Sequence, residues 1–123
     1  MPEPVGPSLR PIAVAGVDAI HEPENAALVR PLARVDEGAS SLSLTWVELD
    51  GRHRRVRSAR ATRVYFVLDG EFVFQVSGEV AHTVRRNECI VVPRDRAYAL
   101  EGKGTYLVLN TPAFTPGDDL YEE

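Results

Sequence analysis

The stretch that decides the fold is SLSLTWVELDGRHRRVRSARATRVYFVLDGEFVFQV, from Ser41 to Val76. Ser41–Leu49 alternates with period two, as a strand with one buried face does. Asp50-Gly51 follows as a turn signal. Thr62–Leu68 is β-branched and aromatic, and Asp69-Gly70 has the composition of a type I′ hairpin turn leading into a return strand, Phe72–Val76. Downstream, Val80–Val84 lies between the turn pairs Ser77-Gly78 and Asn87-Glu88, and Cys89–Val92 is a short apolar strand stopped by Pro93. Ala97–Leu100 and Thr105–Leu109 are two more strands, separated by Gly102-Lys103-Gly104. Upstream, Pro23–Leu28 suits a helical turn, and Leu28, Val29 and Leu32 suit a short strand broken by Pro31. About eight short strands, spaced by roughly 8–12 residues with turn chemistry between them, predict an all-β sandwich or barrel.

Composition agrees with one globular unit: 123 residues, 44% hydrophobic and 26% charged. That length excludes a separate cofactor domain. The sequence divides into an N-terminal arm and irregular segment over 1–35, a barrel over 36–117 and an acidic tail over 118–123. The net charge of −4 conceals an asymmetry, because six arginines fall between Arg52 and Arg63 while Asp118, Asp119, Glu122 and Glu123 close the chain. The tail either caps that arginine cluster or is simply solvated. Whole-chain acidity, with no aromatics interleaved among the arginines, argues against nucleic acid as a partner. A single cysteine, Cys89, permits no intrachain disulfide and suits a reducing compartment. The opening MPEPVGPSLRP is not a secretory signal, and no apolar run approaches the ~20 residues of a membrane-spanning helix. The expected location is the cytoplasm.

The residues resemble the cupin family, whose first motif is Gly, five residues, His-x-His, three or four residues, Glu, six residues, Gly. Here Gly51 is followed by Arg57-Ser58-Ala59, then Arg63, then Gly70. The second motif is Gly, five residues, Pro-x-Gly, two residues, His, three residues, Asn. Here Asn87 is followed by Pro93-Arg94-Asp95, then Tyr98, then Gly102. The exit Asn110-Thr111-Pro112-Ala113-Phe114-Thr115-Pro116-Gly117 also looks like that of small cupins. The resemblance covers most of the chain and implies a double-stranded β-barrel, or jelly roll, in a homodimer. In the family the motif histidines and the glutamate hold one metal ion. The matching positions here are Arg57, Ala59, Arg63 and Tyr98, or Val56 and Ser58 in place of the first two if the gap is counted as four. Neither register supplies a ligand set, since a guanidinium has no lone pair to give. No metal and no other cofactor is expected.

An arginine directed into a barrel must be paired or solvated. Arg63 shares strand parity with Tyr65 and Val67, so the three share a face. If the family register holds, Arg63, Tyr65 and Tyr98 line the interior, joined by Arg57 in one register, while the other register turns Val56 and Ser58 inward instead. A guanidinium fork with phenols suits a small anionic metabolite, aromatic ones included; alternatively Arg63 pairs with an internal acid such as Glu48 or Glu101. The candidate ligand-binding residues are Arg63, Arg57 and Trp46. The candidate proton-transfer residues are Tyr98, Tyr65 and His82, the last on the strand face of Val80 and Val84. His53, among Arg52, Arg54 and Arg55, reads as a solvated surface residue, and Cys89 as a small buried hydrophobe. The expected activity is of isomerase, cyclase or dehydratase type without a metal. The alternative is a non-catalytic binding or regulatory module.

Overall fold

The computed structural model describes residues 11–34 and 41–122. Its strands are β1 (Ile20–Glu22), β2 (Ala27–Ala33), β3 (Ser43–Ser58), β4 (Thr62–Val76), β5 (His82–Arg85), β6 (Cys89–Val92), β7 (Tyr98–Thr111) and β8 (Asp119–Tyr121). The only helical elements among the described residues are two single 3₁₀ turns, one of them at Pro23–Asn25 where a helical turn is expected. All pairing is antiparallel, in the order β1-β2-β3-β7-β4-β5, with β6 added to β4 and β8 to β3. The result is an all-β jelly-roll barrel, as the resemblance implies.

Three turn signals in the sequence are not turns. Asp50-Gly51 lies within β3, Asp69-Gly70 within β4 and Gly102-Lys103-Gly104 within β7, so five expected short strands are parts of three long ones of 16, 15 and 14 residues. The register gives the reason. Gly51 faces Gly102 and Gly70 faces Gly104, so the glycines form a band of two neighbouring rows, Gly51-Gly102-Phe72 and Leu49-Gly104-Gly70, across three adjacent strands. At Gly104 the backbone has φ +152°, and a Cβ there would stand 2.1 Å from the Asp69 carbonyl oxygen. Glycine therefore serves a sharp coiling of continuous strands here, with backbone packed on backbone, rather than a reversal of the chain. Turns are found at Ser77-Gly78 and Asn87-Glu88, where Glu79 N–H donates to the Val76 carbonyl at 3.1 Å and Glu88 N–H to the Arg85 carbonyl at 2.9 Å.

The sheet also extends past both ends of the span 36–117. β2 pairs with β3 from Ala27↔Leu49 to Ala33↔Leu44, with a bulge after Pro31, the residue that donates no ladder hydrogen bond. β8, from the acidic tail, pairs Val56↔Tyr121, Arg57↔Leu120 and Ser58↔Asp119. The proline-rich 1–10 and the acidic Glu123 lie outside the described residues.

Inside, Leu49, Val67, Phe72, Phe74, Val76 and Leu100 pack one half of the barrel. Tyr65 meets Phe74, Tyr98 and Tyr106 edge-on at centroid distances of 5.0, 5.8 and 5.2 Å, an aromatic floor for the other half. Above that floor the barrel stays open.

Candidate functional site

The opening is a cavity of about 550 Å³. β2 contributes Ala27 and Val29 to its wall, β3 Thr45, Val47 and His53, β4 Arg63 and Tyr65, and β7 Tyr106 and Val108. Glu22 of β1 and Asp119 and Tyr121 of β8 complete the mouth. The size suits a drug-sized or metabolite-sized molecule, and the lining mixes aliphatic walls with few polar groups, as small-molecule sites do.

Arg63 is only 6% exposed. Its Nε donates to Asn110 Oδ1 at 2.6 Å, its Nη1 to the Tyr98 hydroxyl at 3.1 Å and its Nη2 to Asp119 Oδ1. Of the two expected roles, anion fork or ion pair, the structure shows the ion pair. The acid is Asp119, in place of Glu48 or Glu101, because β8 folds back onto β3 and delivers the tail to the mouth. The tail thus caps the arginine cluster: Asp118 binds Arg60 Nη1 at 3.3 Å and accepts from the Thr115 N–H at 2.9 Å. Burial opposes ionisation of the Asp118 carboxyl, yet the Thr115 and Arg60 hydrogen bonds outweigh it and hold the group below its usual range.

Tyr65 and Tyr98 are hydrogen-bonded to each other through their hydroxyls. Since Tyr98 accepts from Arg63, its own hydrogen is free to donate to Tyr65, which leaves the Tyr65 hydrogen for the cavity. Burial, reinforced by Tyr98, pushes the Tyr65 phenol well above its ordinary value, so it is a neutral donor at physiological pH. The motif positions Arg63 and Tyr98 come together as the resemblance requires, and neither is a donor suited to a metal ion. Among the described residues no group of three His, Cys, Asp or Glu is placed to hold one.

Three expected site residues lie elsewhere. Arg57 points outward and pairs with Asp95 at 3.1 Å, while Val56 and Ser58 are buried, so the register with a gap of four faces the interior. The bulge between His53 and Val56 switches the parity of β3, which is why a simple count misplaces Arg57. Trp46 belongs to the outer face, with the Arg30 guanidinium 5.7 Å from its ring centroid, because Thr45 and Val47 take the inner parity. His82 is a rim residue of β5, half-exposed and 3.4 Å from Glu79, away from the cavity. Cys89, expected to be buried, is exposed.

His53 is the residue read as surface that the fold brings inside. It precedes the bulge, so it keeps the inward parity of Val47 and Leu49. Its Nδ1 lies 2.7 Å from the Arg54 carbonyl, which can only accept, so Nδ1 carries the hydrogen and Nε2 the lone pair. The ring stacks on Tyr121 with centroids 6.3 Å apart. Burial lowers its pKa from 6.5, partly offset by the Arg54 carbonyl and by Glu22 and Asp119, so the imidazole is neutral at pH 7. The alternation Val47-x-Leu49-x-Gly51-x-His53 was the signal that could have found it.

No family model matches the sequence, and no curated protein is significantly similar to it. Solved structures are similar in fold. Pac13 of Streptomyces, a nucleoside dehydratase solved with uridine, superposes with TM-score 0.82 at 19% identity, over 94% of this chain and 92% of that one. The polyketide cyclase RemF of Streptomyces resistomycificus gives TM-score 0.73 at 19% identity, over 90% and 89%. A cupin-like protein of Thermotoga maritima gives 0.68 at 13%, over 78% and 75%. The chain has the fold of the small cupin-type barrels. No helix among the described residues is long and apolar enough to cross a membrane.

Proposed function

We propose that the protein is a small-molecule enzyme of dehydratase or cyclase type that works in this cavity without a metal, with His53 as its proton-transfer residue. The observation that carries the reading is the neutral imidazole on the cavity wall, tautomer fixed by the Arg54 carbonyl, facing a pocket whose floor presents the Tyr65 hydroxyl. A base of depressed pKa is unprotonated at physiological pH, and Nε2 is its available lone pair. Removal of a proton next to a carbonyl leaves negative charge on the carbonyl oxygen. The Tyr65 donor, backed by Tyr98 and the Arg63 cation, suits that charge. The protonated imidazole then returns its proton to a departing hydroxyl, which leaves as water, or to the alkoxide oxygen formed when the enolate carbon closes a ring onto a second carbonyl. Tyr98 acts from behind Tyr65, and the superposition on a nucleoside dehydratase and a polyketide cyclase supports both the pocket and the reaction type.

The test is turnover. The chain is incubated with nucleosides and β-hydroxycarbonyl compounds, and loss of water is followed by mass spectrometry. Wild type is expected to convert one of them and His53→Ala to bind it without conversion. Binding of uridine with no conversion of any compound by wild type would leave a binding module instead of an enzyme.

The chain is also read as a homodimer. Trp46, Leu107, Phe66 and Cys89 stand in one register row of the outer face, with Leu44, Leu109, Val64 and Val91 in the next, and Val91 is 57% exposed. A continuous apolar face of this kind marks an association surface. Sedimentation equilibrium should give twice the chain mass, and Val91→Glu with Phe66→Glu should give the chain mass. A cytoplasmic location fits the exposed Cys89.

A further inference from the structure

Asp119 has a place in the cavity wall that proton transfer does not require. Arg63 has a terminal nitrogen on Asp119, and its other partners, Asn110 and Tyr98, are uncharged. Asp119 is held there by construction. Its strand partner is Ser58, its neighbour Asp118 is tied to Arg60 and Thr115, and the Ala59 N–H donates to the Asp118 carbonyl at 3.1 Å. Both side chains line the space a ligand enters, and the Asp119 side chain, 23% exposed against 7% for Arg63, is the more accessible of the pair.

Among the described residues the lining carries two arginines, Arg34 and Arg63, and two acids, Glu22 and Asp119. An incoming carboxylate or phosphate meets the Asp119 charge first and gains the Arg63 fork only by displacing a partner already in place. Uncharged hydroxyls, amides and carbonyls face no such opposition.

We propose that Asp119 is a built-in counter-anion that sets the specificity of the cavity, excluding anionic ligands from Arg63 and reserving the pocket for uncharged polar ones. This rests on the cavity being the substrate site, and it replaces the expectation of an anionic metabolite drawn from Arg63 alone. Asp119 acts through Arg63 and is a specificity-determining residue.

The experiment uses inorganic phosphate as the probe at constant ionic strength set with chloride, read by calorimetry and by NMR shifts of the tyrosine rings. Wild type should show no saturable perturbation of Tyr65 or Tyr106. Asp119→Asn keeps the shape and removes the charge, and Asp119→Ala removes both. Each should bind phosphate at least about tenfold more tightly than wild type, since a charge-assisted pair with Arg63 becomes available. The gain should vanish in Asp119→Asn combined with Arg63→Gln. Equal phosphate affinity in wild type and the folded variants overturns the proposal. So does wild-type phosphate binding that shifts Tyr65 and Tyr106, a result that needs no variant. Gain of phosphate binding with no turnover of any neutral compound would sink the enzyme reading and leave this one standing; turnover without the gain would do the reverse.

Discussion

Replacing Tyr98 by Phe removes one oxygen from the buried polar chain Asn110-Arg63-Tyr98-Tyr65. Tyr98 is 1% exposed, and its hydroxyl accepts from Arg63 Nη1 at 3.1 Å and bonds to Tyr65. The variant leaves a charged donor and a phenol each short of one partner. A hydrogen bond to a charged group contributes about 1.5–3 kcal/mol and a neutral one about 1 kcal/mol, so the loss sums to about 2.5–4 kcal/mol. For a domain of this length that lowers Tm by about 10–15 °C. Tyr106→Phe is the matched control. Tyr106 is equally buried and touches Tyr65 and Phe72, yet no side-chain hydrogen bond joins its hydroxyl to another described residue. It should cost less than about 1 kcal/mol. Urea unfolding of the two variants, followed by far-UV circular dichroism, gives the comparison. Equal losses, or a Tyr98→Phe loss under about 1 kcal/mol, would refute the claim that Arg63 is held through Tyr98.

The remaining predictions concern protons, backbone and the outer face. The folded state binds the His53 proton more weakly than the unfolded state, whose value is 6.5, so its contribution to stability is complete above pH 6.5 and is lost as pH falls through the folded pKa. The same titration should give the pH profile of kcat/KM of wild type an acid limb below 6.5, with turnover abolished in His53→Ala; turnover that survives the substitution with the acid limb intact assigns the base elsewhere. Gly104→Ala drives a Cβ to 2.1 Å from the Asp69 carbonyl oxygen and should destabilise by about 3 kcal/mol or more. Gly78→Ala, which meets nothing within 4 Å, should cost about 1 kcal/mol from its positive φ alone, and chemical denaturation separates the two. Trp46→Phe should leave the affinity for whichever compound wild type is found to bind within about twofold by calorimetry, because the ring lies on the outer face beside Arg30.

Fold class was legible in the sequence because β-branched alternation and turn residues are local signals. What the residues could not reveal locally was continuity. Asp-Gly pairs have the same composition in a hairpin and in a coiled mid-strand row, and only the cross-strand partners Gly102 and Gly104 distinguish the two. That Arg63, Tyr65 and Tyr98 share the interior was legible because spacing along the chain places them, and their side chains do meet there. His53 and Arg57 exchanged places because a single bulge resets the parity of β3, and a bulge is specified by pairing rather than by composition. Trp46 was misplaced for a different reason: both faces of β3 carry apolar residues, one for the cavity and one for the outer surface, so alternation alone does not say which is inside. Asp119 sits 56 residues from Arg63, a contact that needs the whole barrel to be closed first.

The glycine band also divides labour along the strands. On one side of it stand Thr45 and Val108, which shape empty space; on the other stand Phe72, Phe74, Val76 and Leu100, which fill it, with His53 in the row of Leu100 and Phe74 reaching back to the cavity wall. Val47 and Tyr106 belong to both, since they line the space and pack in the buried cluster, where the Tyr106 ring meets Phe72 at 5.2 Å. The molecule therefore joins a permanent chassis to an exchangeable rim, and a library confined to Val29, Thr45 and Val108 would alter which molecule fits while sparing the fully buried cluster.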